Sequence, residues 1–390
     1  VTRCYLNAMA MVSAMGDCPQ AAYRQLTAGA PALSVSHSFS PEDTLPLGLF
    51  TGELPVIQLP ECHWHSRNNQ MALLALEQIR PQAEAAIARF KPHRIGVVVG
   101  TSTSGISDSE TDLKQRVNTG ELPPEFDYRQ QEMGAAASYL AAELGVSGPV
   151  FAISTACSSG AKALASARRL LRAGLCDAVI AGGVDTLCHL TVQGFSALEA
   201  VSDSPCVPFS CNRKGINIGE GAGLFLVSRE PGEVELAGVG ESSDAHHISA
   251  PDPSGAGAVR CMQAALRDAG ITPGVVDYVN LHGTATALND QMEARALAQV
   301  FGEAGVPCSS TKPFTGHTLG AAGAVEAAIC WLALQQGGVP LHVWDGQADP
   351  DLPALDLITA SQPNTELACA LSNSFAFGGN NISLILRRVV

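Results

Sequence analysis

The sequence predicts an α/β fold of two like halves, with two buried helices sandwiched between sheets. Three observations lead there. Short apolar runs alternate along the chain with helical patterns, which points to layered α/β architecture. Two stretches, "AKALASARRLLRAG" after Gly160 and "GAAGAVEAAICWLAL" after Leu319, are crowded with Ala and Gly. Helices that are small and apolar on most faces tend to be buried on most faces. Finally, 153–171 and 309–334 are built alike, each a Ser–Thr strand end, a turn and then such a helix, which suggests an internal duplication.

Each element follows from its local pattern. "SRNNQMALLALEQIRPQAEAAIARF" (66–90) has helical periodicity, and "RIGVVVGTSTSG" (94–105) reads as a buried strand entering a Gly/Ser/Thr loop. "DAVIAGGVD" (177–185) and "GAGLFLVSRE" (221–230) read as two more strands. "REPGEVEL" then interrupts the apolar pattern and divides the chain into halves 1–230 and 231–390. In the second half "GAVRCMQAALRDAG" (257–270) is helical, while "VVDYVNLHGTAT" (275–286) and the segment 368–390 carry strands.

Composition narrows the function. A chain of 390 residues, 46% hydrophobic and only 15% charged, with 38 glycines, describes a well-buried, enzyme-like body. The net charge of −14 argues against nucleic acid as partner, since phosphate binding needs a basic surface. It also requires a local basic patch wherever an acidic partner is to dock. The 12 cysteines are scattered with no CxxC pair, so neither a disulfide framework nor a zinc ribbon is expected. "ECHWH" (61–65) bunches ligand-type residues, and 63 and 65 would share a face of a strand, but no second cluster completes a metal site. Free thiols in this number fit the cytoplasm, and no apolar run is long enough to span a membrane.

Four segments look reactive. In "STACSSG" a strand, a sharp turn and a helix start would hold Cys157 at a helix N-terminus, where thiolate is favoured. The other reading of Cys157 is a small core residue. "HGTATALND" opens with His282, and "TKPFTGHTLGAAGAVE" contains Lys312, His317 and Glu326. "NSFAFGGNN" is a Phe- and Gly-rich loop near the C-terminus. Both histidines fall at strand-to-helix junctions, where α/β folds place reacting groups. Two neutral imidazoles aimed at one point suit a developing oxyanion, and a nearby thiolate can hold an acyl group. Lys312 is either a surface lysine or the partner that Glu326 needs in its apolar helix.

Together these segments resemble the elongating β-ketoacyl-acyl-carrier-protein synthases of the thiolase superfamily. The matching motifs are "TACSSG", "PFSCNRKGINIGEGAG", "HGTATALND", "KPFTGHTLGAAGAVE" and "NSFAFGGNN", in the family's order. The resemblance implies a thiolase-like, duplicated α/β/α/β/α fold. The first half would carry Cys157, and the second His282, His317 and Lys312. It implies that Cys157 takes an acyl chain as a thioester and that His282 and His317 promote decarboxylation of malonyl carrier protein and stabilise the enolate. The backbone N–H groups of Cys157 and Phe377 would form the oxyanion hole. Phe375 and Phe377 match gating positions, Thr284 and Thr286 match contacts to the phosphopantetheine arm, and Glu326 and Asp290 match supporting positions. No metal or organic cofactor is required. The implied partners are acyl carrier protein and a second subunit, identical or a chain-length-factor-like protein.

The departures from the family pattern are informative. Ala287 stands where proline is common, Lys214 where an acidic residue is common, Ala376 for glycine and Asn380 for threonine. Loss of glycine at 376 is expected to stiffen the gate loop. These changes suggest a specialised branch, such as an aryl-polyene or polyketide ketosynthase. Arg67, Lys114, Arg116 and Arg129 are candidate docking residues, with Arg67 and Arg129 singled out. Arg168, Arg169 and Arg172 read either as docking residues or as a solvated helix end. A degradative thiolase is disfavoured because its second cysteine loop here reads "SFAFGGNN", and an initiating synthase because His317 stands at the second imidazole position. A non-catalytic partner subunit is disfavoured by the presence of Cys157, His282 and His317.

Overall fold

In a computed structural model that describes residues 2–40, 44–362 and 365–389, the chain forms twelve strands and ten α-helices. Val1 and Val390, the outer ends of the two predicted halves, lie outside the described residues. The strands of the first half are β1 (Tyr5–Val12), β2 (Ser34–Ser36), β3 (Leu45–Leu47), β4 (Ile95–Gly100), β5 (Val150–Ile153), β6 (Ala178–Asp185) and β7 (Gly221–Ser228). Those of the second are β8 (Val234–Ser243), β9 (Tyr278–Asn280), β10 (Cys308–Ser309), β11 (Cys369–Ala376) and β12 (Asn380–Arg388). The first-half helices are α1 (Pro19–Ala28), α2 (Arg67–Phe90), α3 (Ile106–Thr119), α4 (Ala135–Leu144), α5 (Ser159–Arg172) and α6 (His189–Ala197). The second half adds α7 (Ala256–Ala269), α8 (Ala287–Phe301), the short α9 (Lys312–Thr315) and α10 (Ala322–Gln336).

The duplication is written in the sheet. Ten strands run in the order β10-β9-β11-β12-β8-β1-β7-β6-β4-β5, while β2 and β3 pair separately. Read outward from its centre, the first half runs β1-β7-β6-β4-β5 and the second β8-β12-β11-β9-β10, the same order of first, fifth, fourth, second and third strand. The pairing sense repeats too. β4 is parallel to β5 and β6, and β7 is antiparallel to β6 and β1. Correspondingly, β9 is parallel to β10 and β11, and β12 is antiparallel to β11 and β8. The halves join where Tyr5 of β1 pairs with Glu235 of β8.

The layers follow from what each helix covers. α2 and α4 pack on strands of the first half, α7 packs on β8 and β12, and α8 packs on α7. Between them α5 and α10 touch each other and strands of both halves. Residues 321–330 are all buried, as a helix with no polar face requires. The two central helices approach closely because both carry glycine at the contact. A Cβ on Gly160 would lie 2.9 Å from the Ala324 Cβ, and one on Gly323 would lie 2.7 Å from the Ala161 Cβ. This crossing fixes the start of α5 beside the start of α10, which is where the reactive segments meet.

The structure corrects two local expectations. Residues 62–64 of "ECHWH" form a 3₁₀ turn rather than a strand. His63 packs against Trp64 with tilted rings, centroids 4.0 Å apart, and the His65 Nε2 bonds the Leu59 carbonyl at 2.7 Å. Arg168 is neither a docking residue nor a solvated helix end. It is 5% exposed, donates to the Leu236 and Ala237 carbonyls of β8, and pairs with Asp268. Arg169 and Arg172 are paired as well, with Glu241 and Asp268. Among the described residues, no helix is long and apolar enough to cross a membrane.

Candidate active site

The turn after β5 presents Cys157. Ala156, just before it, adopts φ +52°, a left-handed conformation that non-glycine residues rarely take. The turn is tied by its own hydroxyls: the Thr155 N–H donates to the Ser159 Oγ at 2.8 Å, and that hydroxyl donates to the Ala156 carbonyl at 2.6 Å. Cys157 therefore stands one residue before the N-cap Ser158 of α5, buried, with its Sγ 2.9 Å from the His317 Nε2. Burial opposes the thiolate that the helix start favours. Burial pushes the thiol up to about 12, against the Lys312 charge and the backbone N–H groups of Cys157 and Phe377, which pull it down.

The histidines arrive from the second half. His317 is stitched to the segment before β7: its N–H donates to the Asn217 carbonyl at 2.6 Å, and its carbonyl accepts from the Gly219 N–H at 2.9 Å. His282 follows β9, and Glu293 of α8 accepts its N–H at 2.9 Å and that of Gly283 at 2.7 Å. The two rings meet edge to face, with centroids 5.5 Å apart. One ligand-type atom each from Cys157, His282 and His317 lie within 4.8 Å of one another. Both imidazoles are held neutral, well below the usual histidine range, first by burial and then by the Lys312 charge.

Lys312 is buried beneath this cluster. Its Nζ donates to the His282 carbonyl, lies 3.4 Å from the His282 Nδ1 and pairs with the Glu326 Oε1 at 2.5 Å. An ammonium only donates, so the Nδ1 facing it is an acceptor and the ring proton sits on the His282 Nε2. Burial pushes Glu326 up to about 6, against the Lys312 charge. Asp290 is also buried. It accepts the N–H groups of Phe209 at 2.8 Å and Ala285 at 3.2 Å, which shapes the loop after His282.

A cavity of about 360 Å³ runs from this cluster to the surface. Phe375 and Phe377 line it: Phe375 has its ring 6.2 Å from that of His282, and Phe377 packs on Phe195 at 5.6 Å. Ala376 between them is extended at φ −103°, so alanine is unstrained there and the left-handed positions fall to Gly378 and Gly379. Thr284 and Thr286 line the wall, with their hydroxyls 2.9 Å apart.

The two docking candidates lie elsewhere. Arg67 grips Glu220 through two nitrogens, at 3.1 and 2.6 Å, and Arg129 pairs with Asp127 at 2.5 Å; neither lines the cavity. Glu293 escaped the sequence reading. A carboxylate three residues after Asp290 on the same face of α8 was its available signal.

Comparison with known proteins agrees with this architecture. The family model described as beta-ketoacyl synthase, N-terminal domain, matches residues 47–231, and the C-terminal domain model matches 234–343. A 3-oxoacyl-[acyl-carrier-protein] synthase 2 of Staphylococcus aureus is 34% identical over 350 residues, 85% of this chain and 84% of that protein. Nodulation protein E of Rhizobium meliloti is 36% identical over 334 residues, 83% of this chain and 82% of that one. Among solved structures, a ketosynthase (ApeO) in complex with its chain length factor (ApeC) from Xenorhabdus doucetiae superposes with a TM-score of 0.94 at 45% identity, covering 100% of this chain and 98% of that chain. A type II polyketide ketosynthase assembly with its acyl-carrier protein, AntDE:AntF, gives 0.88 at 27% identity, with both chains covered fully. The fold and its relatives define a condensing enzyme of the acyltransferase class. The chain belongs to the beta-ketoacyl synthase family.

Proposed function

We propose that this chain extends an acyl group held on Cys157 by decarboxylative condensation with a malonyl thioester, both delivered on the phosphopantetheine arm of an acyl carrier protein. The observation that carries the reading is the 2.9 Å contact between the Cys157 Sγ and the His317 Nε2 in a cavity open to the surface. In the loading step the His317 Nε2 accepts the thiol proton as sulfur attacks the incoming thioester carbonyl. The N–H groups of Cys157 and Phe377 hold the oxyanion, and the departing carrier thiol recovers the proton. In the second step the malonyl carboxylate leaves as carbon dioxide. The His282 Nε2–H, with His317 beside it, holds the enolate oxygen. The enolate carbon then attacks the Cys157 thioester, and the sulfur leaves as product forms. Lys312 fixes the His282 tautomer and keeps both rings neutral. Thr284 and Thr286 offer hydroxyls to the amides of the arm. Phe375 and Phe377 gate the passage, and Asp290 and Glu326 support the loop and the lysine.

Each step proposed above uses side chains and backbone N–H groups of this chain together with thioesters on the carrier's arm. A cytoplasmic setting fits the 12 free cysteines. A second reading makes this chain the active half of a pair with a chain-length-factor subunit. It is favoured by 45% identity over the whole chain to a protein solved in such a complex, together with the retained Cys157, His282 and His317.

Intact-mass measurement after incubation with a panel of acyl carrier proteins tests the proposal, with Cys157→Ala as control. The expected result is an acyl adduct on the wild type alone. An equal adduct on the Cys157→Ala variant would sink the assignment of the nucleophile.

A further inference from the structure

The mouth of the cavity carries a charge that the mechanism above leaves unused. Among the described residues, Arg213 and Lys214 are the arginine and lysine that line the cavity. The Arg213 side chain is 9% exposed; its Nη1 donates to Asp349 at 2.5 Å and to the Ser210 carbonyl at 2.8 Å, while its Nε is buried with no hydrogen-bond partner among the described residues. The Lys214 side chain is 63% exposed, and its partner among the described residues, Asp203, is 73% exposed and 3.4 Å away. An exposed pair at that distance holds the ammonium weakly. The other charged groups of the wall are the carboxylates of Glu199 and Asp244. Without Lys214 the entrance would present these to an anionic ligand, on a chain already at −14.

The burial gradient sets the direction of entry. Cys157 lies at the closed end, the Thr284 and Thr286 hydroxyls stand along the wall, and Lys214 stands at the solvent end. A pantetheine thioester threaded sulfur-first to Cys157 passes its amides along the wall and leaves its phosphate outermost. We propose that Lys214 is the phosphate-binding residue of the entrance, a specificity contact for thioesters that carry the 4′-phosphate of the arm. An ammonium on a flexible stem suits this role, because it meets phosphate as a point charge without a fixed fork. The assignment rests on the reading of Cys157 as the loading site.

The test compares octanoyl-phosphopantetheine with octanoyl-pantetheine, which lacks the phosphate, as acyl donors to the wild type, Lys214→Gln and Lys214→Arg. Acyl-enzyme formation is followed by intact mass. Lys214→Gln should raise KM for the phosphorylated donor about fivefold with kcat preserved, the worth of one partly wet charged contact. KM for octanoyl-pantetheine should stay at the wild-type value, and Lys214→Arg should restore the phosphate preference. With octanoyl carrier protein as donor, Lys214→Gln should show the same rise in KM. The proposal is overturned if Lys214→Gln affects both small donors alike or neither. Failure of the wild type to take an acyl group from any donor overturns it together with the loading-site reading. Normal loading with no phosphate preference overturns it alone.

Discussion

The Cys157 Sγ and the His317 Nε2 lie 2.9 Å apart, although one comes from the turn before α5 and the other from the loop before α10. The close crossing of the two central helices makes this contact between the halves. His282 meets the same sulfur from a third element, with its tautomer fixed by Lys312. The two imidazoles are therefore not equivalent. His317 faces the thiol, and His282 presents an N–H to the substrate.

That difference predicts a split between half-reactions. His317→Ala should slow acyl loading by about 10²–10⁴-fold, the usual contribution of a positioned general base. His282→Ala should retain loading within about tenfold and lose malonyl decarboxylation by a similar 10²–10⁴. Separate assays of acyl-enzyme formation and carbon dioxide release make the comparison. Equal losses by both variants in both assays would remove the division of labour.

The buried thiol predicts a pH profile. With Cys157 raised to about 12, the thiolate fraction climbs tenfold per pH unit across the neutral range. Alkylation of Cys157 by iodoacetamide, read by peptide mass mapping, should rise steadily from pH 7 to 10 without a plateau. A plateau below pH 9 would mean that the resting site already holds thiolate.

Lys312 and Glu326 predict a stability asymmetry. Both are nearly sealed from solvent, so removing one leaves the other's charge without its partner. Glu326→Leu should lower unfolding free energy by about 3–5 kcal/mol in urea titrations. The double variant Lys312→Met/Glu326→Leu should recover part of that loss while remaining catalytically impaired. A double variant less stable than the single one would show that the pair is not the source of the effect.

How much of this was legible in the sequence depends on how local each signal is. The central helices were readable because a run such as "GAAGAVEAAIC" has no polar face to leave in water. Cys157, His282 and His317 were readable from their strand-to-helix settings and from the family motifs. The tie between Glu293 and the N–H groups of His282 and Gly283 was not. It depends on how α8 is placed against the loop after β9, a tertiary fact. The burial of Arg168 was hidden for the same reason, since carbonyls of β8 and Asp268 supply its partners from the other half. The state of Cys157 depends on two opposing influences, a helix start that favours thiolate and burial, visible only in three dimensions, that raises the thiol.

Glu293 supports a final prediction, about pH and stability. Burial raises its carboxyl from 4.5 to about 7, with the neighbouring Asp290 charge adding to the rise and the N–H groups of Gly283 and His282 opposing it. The folded state therefore binds more protons than the unfolded state between those two values, and stability falls as pH rises through that window. Glu293→Gln cannot ionise and lacks this dependence. Its amide can accept only one of the two N–H groups, so it should be less stable than the wild type at pH 4.5. The deficit should then shrink as pH climbs to 7 and stay constant above it. Urea titrations of both proteins at pH 4.5, 6 and 8 make the comparison. A gap that widens with pH would mean that Glu293 is held ionised in the fold, with its two backbone donors outweighing burial.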